Sequence, residues 1–186
     1  MSIHQGFRWG AVGAAAILAL ASAGTAQAAT KTALDKGGAF CLQVGSVEPG
    51  ATEVVLALDI DPADHPPTKR KLWWVSGYEQ GSNPSVTADN YVDTISGTAT
   101  LGKPNDGASG AKVIHMGLTG IGNGTNADSD GPGVWAHTYS LQLKPKSLNG
   151  RITGFSVFTP ISGGTDGEPM TTVVDERITQ IKCKNV

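Results

Sequence analysis

The 186-residue chain sets 14 Lys and Arg against 16 Asp and Glu, a formal charge of −2, and only 16% of its residues are charged. That balance excludes the basic footprint of a nucleic-acid binder. The 25 Gly and 10 Pro exclude a helical bundle or coiled coil.

Residues 1–29 read as a secretory signal. Arg8 is the firm charge of a short leading region, and the apolar run from Trp9 falls short of the roughly 20 residues that a membrane-spanning helix needs. Ala26 and Ala28 fit the A-x-A rule, placing the cut after Ala28 or Ala29. The expectation is a cleaved leader over 1–29 and a single domain over 30–186. The Ala-rich leader is bacterial in style, so the product is expected to be secreted or periplasmic.

Short Val/Ile/Thr/aromatic runs then alternate with Gly/Pro/Asn/Asp clusters. Eight strands are predicted, at 39–47, 53–60, 71–78, 91–101, 111–119, 134–143, 151–159 and 172–182. In the second, Val54, Leu56, Leu58 and Ile60 share a face; in the fifth, Ile114, Met116 and Leu118 do; in the sixth, Trp135, His137, Tyr139, Leu141 and Leu143 do. Pro62 to Pro67, the stretch ending in Asn149-Gly150, and the glycines of 163–167 supply turns. Gly120, Gly122 and Gly124 read as a flexible loop between the fifth and sixth strands.

The two cysteines, Cys41 and Cys183, lie at opposite ends of the exported part and are expected to pair. A disulfide needs Cα atoms about 4.4–6.8 Å apart, so the first and last strands must be neighbours. Eight strands on short connections favour an antiparallel meander. Together these predict an all-β fold, a single antiparallel up-and-down β-barrel of about eight strands, with a two-sheet β-sandwich as the alternative. The inferred architecture is lipocalin-like or avidin-like, although the G-x-W of lipocalins is missing. An outer-membrane barrel is disfavoured by the scarcity of aromatics and by strands without uniformly apolar outward faces.

An inward Trp73 with Trp135, His137 and Tyr139 would wall a ligand pocket, while Trp74 and Tyr78 offer outward aromatics. Asn126, Asp128 and Asp130 match the first half of a calcium loop, but its twelfth position is His137 rather than Glu, so a solvated loop is the better reading. Asp59, Asp61, Asp64 and His65 form a second polar group within a Pro-rich connection, and Lys69, Arg70 and Lys71 a basic triplet at a strand entrance. No nucleophile motif, cofactor motif or metal constellation occurs, so no catalytic residue, metal or cofactor is assigned. Enzymatic work by His115, His137 or the 59–65 cluster ranks last.

Two functions lead. One is a soluble, exported barrel holding a small apolar or aromatic ligand; the other is a secreted or periplasmic protein-interaction or inhibitor module acting through loops and exposed aromatics.

Overall fold

The computed structural model describes residues 30–46, 52–64, 66, 71–83, 90–105, 110–126, 131–161 and 168–183. A 3-10 turn, Ala33–Lys36, precedes eight strands: β1 Gly38–Val44, β2 Glu53–Pro62, β3 Leu72–Ser82, β4 Asn90–Gly102, β5 Val113–Thr125, β6 Pro132–Leu143, β7 Gly150–Pro160 and β8 Met170–Ile181. Each pairs antiparallel with the next, and β8 returns to β1, so the sheet closes as an up-and-down barrel. Cys41 and Cys183 are bonded, with Cα atoms 5.2 Å apart. The signal segment, His65, Lys69, Arg70, Asp128, Asp130 and the glycines of 163–167 lie outside the described residues.

Several strands end later than predicted: β2 takes in Pro62, expected in a turn, which pairs with Trp73, and the two longest extensions shape the interior. β3 continues past Tyr78 through Glu79 to Ser82, and β5 continues past Thr119 through Gly120, Gly122 and Gly124 to Thr125. The glycine stretch is therefore ladder and not loop: Gly120, Gly122 and Gly124 pair across to Ile95, Asp93 and Tyr91 on β4 and to His137, Trp135 and Gly133 on β6. Glycine has low strand propensity, which hides this segment from a pattern reading. Pairing on both sides of the segment overrides that propensity.

Period-two alternation sends one face of every strand inward. Toward one end of the barrel the inward positions hold large apolar side chains, among them Leu42, Leu56, Leu58, Ile60, Trp73, Val75, Ile114, Met116, Leu118, Leu141 and Leu143, in one packed cluster. Each fully buried aliphatic side chain of this kind is worth about 1.5–3 kcal/mol. Leu34, from the 3-10 turn, and Leu148, from the β6–β7 connection, join this cluster and are almost fully buried. Lys71 holds the turn in place through Asp35, at 2.7 Å, and the Thr30 carbonyl, at 3.0 Å.

Toward the other end the interior changes character. Along β5 the inward series runs Ile114, Met116, Leu118, and then Gly120, Gly122, Gly124. A Cβ on Gly122 would stand 2.0 Å from Asp93 Oδ1, one on Gly120 2.4 Å from Ile95, and one on Gly124 2.5 Å from Tyr91. These glycines are needed for the room they leave. They let bulky and polar side chains of β4 lie across the barrel floor.

Candidate functional site

Glu79 on β3 and Asp93 on β4 stand directly opposite each other in the ladder, both pointing inward, at 1% and 0% exposure. Like charges facing one another across a ladder destabilise a sheet, and burial compounds the cost. His137 on β6, also buried, lies between them. Its Nε2 is in close contact with Asp93 Oδ2, and its Nδ1 lies 3.9 Å from Glu79 Oε2. Tyr91 donates to Glu79 Oε1 at 2.8 Å. The Tyr139 hydroxyl lies 3.1 Å from the same oxygen and 2.6 Å from His137 Nδ1. Since a phenol has one proton, Tyr139 can donate to the carboxylate or to the imidazole but not to both at once.

Aromatic rings hold the imidazole in place. The ring of His137 is stacked on Trp135, with centroids 5.8 Å apart and planes 10° apart, and on Tyr91 at 5.4 Å. Trp135 in turn contacts Phe158 and donates its indole N–H to the Thr125 carbonyl at 3.3 Å. Among the described residues, nothing donates a hydrogen bond to Glu79 Oε2 or Asp93 Oδ1. Such atoms are rare in native interiors and mark places where a ligand or water is accommodated.

A cavity of about 320 Å³ adjoins this group. Glu79, Tyr91, Trp135, Tyr139 and Ser156 supply its polar and aromatic wall, and Val54, Ile152 and Val174 are among its apolar residues. Its position follows from the register of the closing seam. β1 meets β8 only from Cys41↔Ile181 to Val44↔Ile178, so the earlier part of β8, from Met170 to Arg177, has β7 as its only ladder partner among the described residues. Gly45, Ser46 and Thr52 line the cavity from one side of that seam and Thr172, Val173 and Glu176 from the other. The access route is therefore beside β8, above the end of β1.

Burial pushes the Glu79 carboxyl above the ordinary carboxylate range, against the opposing pull of His137 and the two phenols. Burial and the neighbouring Glu79 push both phenols upward, so Tyr91 and Tyr139 stay neutral donors across the accessible pH range. The raised Glu79 value fixes a sign. Below its ordinary value of 4.5, folded and unfolded chains both carry the proton. Above it the unfolded chain ionises first, so Glu79 withdraws stability as pH rises toward its folded value. Glu79→Gln, which cannot ionise, is expected to remove that downward slope. Urea unfolding from pH 4 upward measures this, and an unchanged slope in the variant would contradict it.

The structure separates the four aromatic and histidine candidates. Trp135 and Tyr139 line the cavity and His137 packs directly behind them, whereas Trp73 belongs to the filled half and is 2% exposed there. Trp74 points outward and is 56% exposed. His115 also faces out, its Nε2 2.5 Å from the Lys103 carbonyl oxygen. Asp59, Asp61 and Asp64 are exposed, and Asn126 follows the end of β5. Among the described residues no group of three His, Cys, Asp or Glu side chains is arranged to hold a metal ion.

Glu79, Asp93, Tyr91 and Ser156 are residues that sequence reasoning missed, the two acids being the most consequential. Glu79 sits one residue past the predicted end of its strand. Asp93 carried a usable signal, because it shares parity with Tyr91, Ile95 and Ala99 while Val92, Thr94, Ser96 and Thr98 occupy the other face. An acid on the apolar face of an alternating strand is either misplaced or paired.

Comparison with protein families, curated proteins and solved structures finds no match for this chain.

Proposed function

We propose that the protein is a soluble, exported barrel that binds one small, largely apolar organic molecule in the cavity beside β8. The observation that carries this reading is the 320 Å³ space itself, at the lower end of the range of about 300–1,000 Å³ typical of small-molecule sites. Apolar side chains provide area on one side. On the other, Trp135 offers a ring face, and Tyr91, Tyr139, Glu79 and Ser156 offer a few convergent polar groups. A flat ring or short chain bearing one oxygen function satisfies both sides at once.

Polar residues such as Thr119, Thr138, Ser140 and Thr153 on the outer wall, together with the exposed Arg151–Asp175 ion pair, support a wall facing water. No helix among the described residues is long and apolar enough to cross a membrane. The disulfide supports an oxidising compartment.

Titration with 1-naphthol, followed by quenching of tryptophan fluorescence, tests the binding reading. Saturable quenching is expected, and Trp135→Leu should weaken binding by about tenfold, the loss of a stacked aromatic contact. Trp74→Leu on the outer wall should leave the affinity unchanged. Absence of saturable quenching by 1-naphthol and by neutral aromatic ketones and alcohols of similar size would overturn the reading.

A further inference from the structure

We infer that the cavity is a proton-transfer site, in which Glu79 and Tyr139 enolise a bound carbonyl compound and thereby move a proton or a double bond within it. The inference rests on the binding reading above and adds a reaction to it. A binding barrel needs neither two buried acids face to face nor a histidine spanning them, and a donor or two would orient the ligand. Here the barrel gives up three inward β5 positions to glycine to admit these groups.

The geometry assigns the parts. Asp93 contacts His137 at Nε2, which fixes the proton there and leaves Nδ1 as the acceptor facing Tyr139 at 2.6 Å. This is the orienting acid, imidazole and hydroxyl order that activates a hydroxyl in other enzymes, with a phenol in the hydroxyl place. Glu79 stands next to that phenol at 3.1 Å and also lines the cavity, so an acid and a base reach the same ligand. Burial raises the Glu79 carboxyl above the ordinary carboxylate range, which favours the acid form that can donate.

The step balances within the substrate and these side chains. Glu79 gives its proton to the carbonyl oxygen. The phenol oxygen of Tyr139 takes the proton from the carbon beside the carbonyl while its own proton passes to His137 Nδ1. The C–H pair becomes the C=C bond, and the C=O pair becomes the O–H bond of the enol. No free phenolate forms, which suits a phenol whose ionisation burial opposes. The reverse transfers, to the same carbon or to the far end of a conjugated enol, complete an exchange or an isomerisation. Glu79 and Tyr139 touch the substrate; His137 and Asp93 act through Tyr139 as positioning residues.

The test uses 1-tetralone, an aromatic ketone with exchangeable hydrogens beside its carbonyl. Binding is read from tryptophan quenching, and loss of those hydrogens in D₂O from proton NMR. Saturating protein is expected to speed exchange over buffer by about a hundredfold or more, the usual scale of general acid–base catalysis. Glu79→Gln and Tyr139→Phe, both near-isosteric, should bring exchange close to the buffer rate even at ketone concentrations that saturate the quenching of each variant. His137→Gln should lower exchange with binding retained, a split that a purely structural role would not produce. Circular dichroism verifies that each variant is folded. Quenching without exchange, or exchange undiminished in Glu79→Gln or Tyr139→Phe, overturns the proton-transfer inference and leaves binding standing. Neither quenching nor exchange, with 1-naphthol also failing to bind, overturns both.

Discussion

Replacing His137 with leucine is expected to lower the free energy of unfolding by about 3–5 kcal/mol, the usual cost of leaving a buried carboxylate without its partner. Asp93 and Glu79 would then face each other across the β3–β4 ladder with no imidazole between them. Leucine also cannot accept the Tyr139 hydrogen bond, and a flexible aliphatic chain cannot stack between Tyr91 and Trp135 as the imidazole does. The double variant Asp93→Leu with His137→Leu should recover most of the loss, because it removes the stranded charge as well as its partner. Urea unfolding of the single and double variants at constant pH makes the comparison. A single variant as stable as the parent would show that the histidine does not hold the two acids together.

Converting Cys41 and Cys183 to serine is expected to cost about 2–5 kcal/mol, typical for the loss of a native disulfide. The reason lies in the seam. β4 and β5 share thirteen ladder pairs, whereas β1 and β8 share four, so closure depends on the shortest pairing in the barrel. Cys41 is the outermost residue of that short ladder and Cys183 lies two residues beyond the end of β8. Without the bond, β1 and β8 should separate before the rest unfolds. Amide exchange should rise first at Gly45, whose N–H donates to the Arg177 carbonyl across the seam, and at Gln43 and Thr179, which stand opposite each other in it; the Gln180 N–H is held instead by Asn149 Oδ1. Equal stability of the serine variant, or exchange that rises first in β4 or β5, would contradict this account.

The two expectations act on different halves of one design. The filled half, packed around Leu56, Ile60, Trp73 and Leu141, supplies the apolar burial that lets the barrel tolerate a hollow, polar half. The seam is short where the cavity opens, so the feature that admits a ligand is also the weak point that the disulfide offsets.

Much of the fold was legible. Val54, Leu56, Leu58 and Ile60, and Trp135 through Leu143 at alternate positions, show the two-residue period that makes one face buried, and Pro and Gly clusters mark most connections, although Pro62 and Gly120 to Gly124 lie within strands. The pair of cysteines flanking the run of strands required the first and last strands to be neighbours, which favoured a closed barrel over a sandwich. The 3-10 turn at Ala33–Lys36 was not anticipated, since four residues carry no period to detect.

The site was legible only in part. Trp135, His137 and Tyr139 share one parity of one strand, so their common direction could be read along the chain. Trp73 shares the inward direction but not the level: it pairs with Pro62 and Ala99, at the packed end. Direction is local to a strand, whereas level depends on the register between strands, which no single strand encodes.

Alternation and turn residues, short-range consequences of backbone geometry, therefore suffice for eight antiparallel strands, and the cysteine placement brings the first and last of them together, which leaves barrel and sandwich both open. Only the closed sheet decides that Glu79 meets Asp93, that His137 from across the barrel lies between them, and that Gly120, Gly122 and Gly124 make room. Those contacts join residues up to 60 positions apart, and they exist only once eight registers have been set together.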